Sequence, residues 1–186
     1  MQPNQFTKKW LTTALLALLG VLLILKFLVL DLYTIPQNGM YPGLPSGSRF
    51  LGLKRPYGNP SAVVRGDVIV FRRPLEGQSF QFVWRVVGLP GDHVEVEGES
   101  VKVNGQLLPR QEIRRNSGEI IYREANGQAS YEVAYEAAPA KMAPTVDMTV
   151  PAGEFFVMGD NRDGARDSRF DGTVRFESIV ARKLSR

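Results

Sequence analysis

The strongest pattern along the chain is a long apolar stretch near its beginning. Trp10 to Leu30 holds 17 apolar residues in 21 positions, interrupted only by Thr12, Thr13, Gly20 and Lys26. At about 1.5 Å per residue, such a helix reaches about 31 Å, enough for a hydrocarbon core of about 30 Å. The pattern predicts one membrane-crossing helix over residues 10–30. Lys26 lies near its apolar end, where a long side chain can reach back towards the headgroups. Lys8 and Lys9 precede the run, so residues 1–9 are expected as a cytoplasmic tail, with everything after about Tyr33 on the far side. A cleavable signal peptide is the competing reading; the run is too long for one and lacks a small-x-small cleavage pattern. Length also argues against a core helix of a soluble protein.

From Ile35 onward the pattern changes to short β-type runs separated by glycine, proline and asparagine. Residues 49–53, 67–71 and 80–87 are rich in β-branched and aromatic side chains. His93 to Leu108 alternates through Val94, Val96, Val101 and Val103, with Asn104-Gly105 as a hairpin turn. Residues 120–122, 131–135, 148–150, 154–158 and 174–181 supply further strands, and no helical period follows the apolar run. The fold class predicted is all-β, and the 12 prolines and 18 glycines of the chain serve its turns. Residues 104–150 are more polar than their flanks and contain Asn126-Gly127. They are expected to form an inserted subdomain between two halves of a core domain, 31–103 and 151–186. A long irregular excursion of a single domain is the alternative.

Composition narrows the function classes. The chain is 44% hydrophobic and carries 23 basic against 19 acidic side chains. Half of that excess belongs to the first 36 residues, so the exported part is nearly balanced and gives no case for nucleic-acid binding. The absence of cysteine excludes disulfide staples, thiolate metal sites and a cysteine nucleophile.

Four blocks then stand in order. Ile35 opens IPQNGMYPGLPSGSRFLGLKR, Arg65 opens RGDVIVF, Phe82 opens FVWRVVGLPGD, and Met158 opens MGDNRDGARDSR. Together they resemble the boxes of the type I signal peptidase family, membrane-anchored serine/lysine endopeptidases that remove signal peptides on the outer side of the membrane. The resemblance covers nearly all of residues 10–186. It implies a catalytic-type β domain with a smaller inserted β subdomain, an apolar surface resting on the lipid bilayer, and exported preproteins or signal peptides as partners. It implies a location at the bacterial cytoplasmic membrane, with the C-terminal domain on the periplasmic or extracellular side. It calls for no cofactor and no metal, and leaves the oligomeric state open.

The chemistry of that family needs a serine hydroxyl that attacks the scissile carbonyl and a neutral lysine amine that takes its proton. Burial must lower the pKa of such a lysine by several units from about 10. A second serine steadies the amine, and a hydroxyl two residues before the nucleophile helps hold the oxyanion. Aligning Pro36, Met40, Pro42 and Leu44 puts Gly39 at the nucleophile and Gln37 at the oxyanion-side serine. Trp84 stands at the general base, where an indole N–H only donates. Ala165 replaces the serine that steadies the lysine. The framework is retained: Met40, Pro42, Gly66, Asp67, Arg85, Gly88, Pro90, Gly91, Asp92, Gly159, Asp160, Asn161, Arg162, Asp167, Ser168 and Arg169.

The sequence therefore predicts a fold kept for something other than Ser/Lys proteolysis, namely binding exported polypeptides as an assembly factor. The alternative is an active signal peptidase with a nucleophile outside the family position. Serine to glycine empties space and lysine to tryptophan fills it, so the Trp84 indole is expected in part of the cleft beside Gly39. Ser48, in a superficially similar Pro-Ser-Gly-Ser repeat, lacks the Met-x-Pro that follows the family serine. Lys54, Lys102 and Lys141 do not fall at the family's lysine position, which Trp84 occupies. Asp160, Asp163, Asp167 and Asp171 interleave with Arg162, Arg166 and Arg169, so paired charges are expected there rather than a metal loop. The resemblance implies a buried ion-pair cluster of Arg85, Asp167 and Arg169. His93, the sole histidine, is expected at the surface, and Phe80, Phe82 and Trp84 on one face of a strand.

Overall fold

The structure, a computed structural model, describes residues 5–24, 28–75, 77–139 and 143–184. In chain order the elements are α1 (Gln5–Ile24), β1 (Leu30–Thr34), β2 (Arg49–Lys54), a 3-10 turn at Pro60–Ala62, β3 (Val68–Leu75) and β4 (Gln78–Gly88). There follow β5 (His93–Glu97), β6 (Ser100–Val103), β7 (Gln106–Leu107), β8 (Arg110–Arg115), β9 (Glu119–Asn126), β10 (Ala129–Glu136), β11 (Val146–Thr149) and β12 (Glu154–Met158). The chain closes with α2 (Ser168–Asp171), β13 (Val174–Arg175) and β14 (Ile179–Lys183). Every strand pairing is antiparallel.

The helix differs in extent from the apolar run. Its leucines are solvent-facing, Leu15 and Leu16 being 66% and 68% exposed. Among the described residues no helix is long and apolar enough to cross a membrane, and Lys26 lies outside them. The end of the run is a strand: Leu30 pairs with Leu53, and Asp31 meets Lys54 at 3.3 Å.

A seven-stranded sheet in the order β1-β2-β14-β3-β4-β12-β13 organises the molecule. Alternation along β3 divides its two faces, because successive side chains point to opposite sides. Val68 and Val70 join Ile35, Met40, Phe50 and Ala181 in one apolar cluster, while Ile69 and Phe71 join Val86, Phe155 and Val157 in another. The expected single strand over 174–181 is two strands. Phe176–Ser178 form a 3-10 turn, with the Phe176 N–H on the Gly153 carbonyl, and the chain moves from the edge beside β12 to the interior between β2 and β3.

The expected insertion corresponds to two smaller sheets whose bonding does not follow its boundaries. Strands β10-β9-β8 make one; β11-β5-β6-β7 make the other. The ends of the 104–150 segment, β7 and β11, are bonded to β6 and β5, which the sequence reading assigned to the core domain. The Asn104-Gly105 hairpin turn is present, both residues having positive φ (54° and 75°) as a type I′ turn requires. Strand β8 was not foreseen; its six residues are all exposed and show no apolar alternation.

Candidate functional site

Gly39 lies in the loop between β1 and β2, Trp84 near the end of β4, and Ala165 in the loop after β12. The fold brings all three together. A Cβ built on Gly39 would fall 2.5 Å from both Cη2 and Cζ3 of Trp84. The indole thus occupies the space beside Gly39, as the exchange of volumes predicts. Gly159 completes the group: a Cβ there would overlap Ala165 Cβ, lie 2.5 Å from the Gly39 carbonyl oxygen and touch Trp84 Cζ3 at 3.0 Å. Gly39 and Ala165 are buried, Trp84 half-buried and Gln37 exposed. The region offers no hydroxyl at position 39, no amine at 84 and no hydroxyl at 165.

The loop backbone is held independently of those side chains. The Asn161 N–H donates to the Gly39 carbonyl and Asn161 Nδ2 donates to the Asn38 carbonyl, each at 3.1 Å. Met40, 1% exposed, anchors the loop in the apolar cluster with Ile35 and Phe50. Tyr41 and Pro42 are joined by a cis peptide. The Tyr41 hydroxyl donates to Glu119 Oε1 at 3.1 Å, tying this loop to β9.

Behind the loop runs a web of buried charge. Arg85 grips Asp160 with two bonds, Nε to Oδ1 at 2.7 Å and Nη2 to Oδ2 at 2.5 Å, and donates from Nη1 to the Gly66 carbonyl. Burial works against the Arg85 charge, but Asp160 outweighs it and the pKa rises. Asp167 caps α2, accepting the N–H groups of Arg169 and Gly159 as well as the Arg169 guanidinium. Arg169 in turn donates to the Arg162 carbonyl at 2.6 Å. The Ser168 hydroxyl accepts the Val157 N–H at 3.0 Å. The cluster expected from Arg85, Asp167 and Arg169 is therefore two separate pairs, because Arg85 points to Asp160. Asp67 accepts the Tyr57 hydroxyl at 2.7 Å and faces Arg182 at 3.8 Å.

Arg162 has a partner that the sequence did not suggest. Its guanidinium, 1% exposed, forks onto Glu124 of β9, Nη1 to Oε2 at 3.0 Å and Nη2 to Oε1 at 2.5 Å, and also reaches the Tyr135 hydroxyl. The available signal was weak: Glu124 is a polar residue within the strand pattern Glu119 to Asn126, where alternation alone does not mark it as buried. Burial opposes the Arg162 charge, yet Glu124 holds its pKa well above the usual value.

The remaining candidates lie elsewhere. Ser48 spends its hydroxyl on the Pro45 carbonyl at 2.6 Å. Lys54 and Lys102 face Asp31 and Glu95, at 3.3 and 3.6 Å; Lys141 lies outside the described residues. Arg166 pairs with Asp171, and Asp163 accepts the Glu136 N–H. His93 Nε2 is 3.2 Å from Asp147 and 45% exposed. Phe80 is exposed, while Phe82 stacks on Phe71 with ring centroids 5.9 Å apart. A lysine that no motif marked, Lys183 at the end of β14, lines a cavity of about 230 Å³ together with Gly66, Arg85, Ser130, Glu132 and Asp160. Burial and then Arg85 push its pKa down, with Asp160 opposing.

Comparison with known proteins bears on this arrangement. Signal peptidase I of Pseudomonas aeruginosa is 35% identical over 168 residues, covering 82% of this chain and 59% of that protein. Signal peptidase I of Pseudomonas fluorescens is 34% identical over 171 residues with the same coverage. The chain thus spans about 59% of the length of these two relatives. A crystal structure of a signal peptidase I from Enterococcus faecalis V583 matches with 28% identity and a TM-score of 0.39, over 63% of this chain and 92% of that one. The family profile described as "Signal peptidase, peptidase S26" matches residues 7–186, nearly the whole length. With that match, and with Gly39, Trp84 and Ala165 of three of the boxes meeting at one point, the chain belongs to the signal peptidase (peptidase S26) family.

Proposed function

We propose that this chain is a noncatalytic member of its family that binds exported, signal-peptide-bearing polypeptides and acts as an assembly factor for them. The observation that carries the reading is the contact between Trp84 and Gly39. A nucleophile at position 39 requires a Cβ where the indole stands, and the indole replaces the amine that would have accepted its proton.

Binding would use the free edge of β4. Val86 donates its N–H to the Asp67 carbonyl on the β3 side, and the β3-β4 register runs without a break. Alternation then turns the N–H and C=O groups of Gln81 and Val83 away from β3. Strand β12 pairs with β4 at Arg85, Val86 and Gly88, so among the described residues no strand covers the edge at Gln81 and Val83. An extended polypeptide is able to add there, between β4 and the exposed residues 36–38. In this reading the apolar run from Trp10 to the start of β1 forms the anchor, with the β domain on the exported side of the cytoplasmic membrane. The uniformly exposed leucines of α1 support it.

The test is incubation of the full-length protein, in detergent or lipid, with a preprotein. The expected result is retention of the preprotein without cleavage, and loss of retention in Gln81→Pro, which removes an outward N–H while sparing the bonds to β3. Specific cleavage after a small-x-small site would overturn the proposal in favour of an active peptidase with another nucleophile.

A further inference from the structure

The two walls of the β4 groove are built differently. One is the edge of a strand; the other, residues 36–38, is a loop that has to be held in place. Met40 packs it among Ile35, Leu44 and Phe50 against the seven-stranded sheet. Asn161 bonds the carbonyls of residues 38 and 39, and its neighbours run beside β10: the Ala134 N–H donates to the Asp160 carbonyl and the Arg162 N–H to the Ala134 carbonyl, both at 2.8 Å. Tyr41 supplies another tie. Its N–H closes a turn on the Asn38 carbonyl at 3.0 Å, while its hydroxyl leaves the loop for Glu119, the first residue of β9. The ties through Asn161 and Tyr41 therefore both run to the three-stranded sheet β10-β9-β8.

The Tyr41 tie ends on a residue outside the four boxes, and that residue is a meeting point. Glu119 Oε1 accepts the Tyr41 hydroxyl at 3.1 Å, Arg114 Nη2 at 3.0 Å and Asn116 Nδ2 at 3.3 Å. The Tyr41 oxygen in turn accepts Arg114 Nη2 at 3.2 Å. Asn116 steadies the carboxylate from the hairpin turn, where its Oδ1 accepts the N–H groups of Gly118 and Glu119. Tyr41 and Glu119 are half-buried, and a hydrogen bond to a carboxylate is stronger than one between neutral groups. Removing the hydroxyl leaves the Arg114-Glu119 pair in place, so the tie is separable from the fold of the β8-β9 hairpin.

We propose that Tyr41 and Glu119 are positioning residues for the β4 groove: through them the three-stranded sheet sets where the 36–38 wall stands, and so how tightly an extended guest is held against Gln81 and Val83. The effect on binding rests on the β4 edge being the guest's site; the fixing of the wall does not, and the two are read separately. The wall is read by hydrogen exchange of the full-length protein in detergent, at the amides of residues 41 and 44, which bond the Asn38 and Met40 carbonyls. Exchange there is expected to be about tenfold faster in Tyr41→Phe and in Glu119→Leu. Glu119→Gln should leave it unchanged, because its amide oxygen still accepts the hydroxyl. Binding is read by fluorescence anisotropy of a fluorescein-labelled preprotein, far below the urea midpoint of each variant, where a merely structural loss leaves it unaltered. Tyr41→Phe should weaken it about fivefold, and adding Glu119→Leu should weaken it no further. Glu119→Gln should restore the parent's affinity. Glu112→Gln, in an exposed pair with Arg115 on the same hairpin, should change neither reading. If the parent itself does not bind, the groove reading falls and exchange still decides the role of the tie. Unchanged exchange at residues 41 and 44 in Tyr41→Phe, or parent-level affinity in that variant where the parent binds, would overturn the proposal.

Discussion

The six-membered ring of Trp84 stands where the first side-chain atom of any residue other than glycine at position 39 would have to lie, 2.5 Å from that point at two of its carbons. Each residue therefore limits what the other position can be. Gly39→Ser alone should destabilise the fold by about 1–3 kcal/mol, as overpacking does in a tight region. Gly39→Ser combined with Trp84→Ala should recover most of that loss. A double-mutant cycle by urea unfolding should show a coupling of about 0.5–3 kcal/mol; additive effects would mean the ring moves aside freely.

Gly159 faces a stricter limit, since one of its close neighbours is the backbone carbonyl of Gly39. Gly159→Ala is expected to cost more than Gly39→Ala, because a carbonyl held by Asn161 moves less readily than a ring at the edge of a cluster. Equal midpoints for the two variants in a urea titration would refute this ordering.

If the chain is noncatalytic as proposed, nucleophile, base and lysine-steadying hydroxyl must be supplied together to gain Ser/Lys cleavage. The triple variant Gly39→Ser, Trp84→Lys and Ala165→Ser should gain preprotein cleavage above the parent's level, since Met40, Asn161 and the Arg85-Asp160 pair already hold the surrounding backbone. Gly39→Ser alone should gain none. A gel assay of preprotein processing decides it, and an inert triple variant would show that the cleft has changed beyond those side chains.

The Arg162-Glu124 pair joins the loop after β12 to β9 in the interior. Glu124→Ala leaves a buried guanidinium without its carboxylate and should destabilise by about 3–5 kcal/mol. Replacing both residues, Arg162→Met with Glu124→Leu, should cost markedly less. Denaturant midpoints of the three variants check the comparison.

Alkaline pH should weaken the fold through Tyr131. Burial first, and the Glu124 charge second, raise its pKa above the unfolded value of 10.0. The native state then keeps a proton that the unfolded chain releases. The associated stability is complete below pH 10 and declines as the pH rises beyond it. Tyr131→Phe should flatten the loss between pH 10 and 11, measured by urea unfolding against pH; an unchanged slope would assign it to other groups.

What the sequence disclosed depended on how local each signal was. Val94, Val96, Val101 and Val103 with Asn104-Gly105 specify a hairpin within a dozen positions, and the hairpin is there. The resemblance to the family's boxes singled out Gly39, Trp84 and Ala165, and the fold brings them together. Partners chosen across the fold were less visible. Arg85 had three carboxylates available in one short box, Asp160, Asp163 and Asp167, and takes Asp160, a choice set by strand register. Glu124 looks like any strand glutamate until β10 and the loop after β12 close over it. Lys183 belongs to no motif, and its surroundings come from β3, β4 and β10.

The two bonds from Asn161 to the carbonyls of residues 38 and 39 separate the path of the chain from the identity of its side chains. The loop is clipped through atoms that every residue possesses. Both bonds end on main-chain carbonyls, so the course of the loop and the chemistry of the side chains it carries are able to change independently.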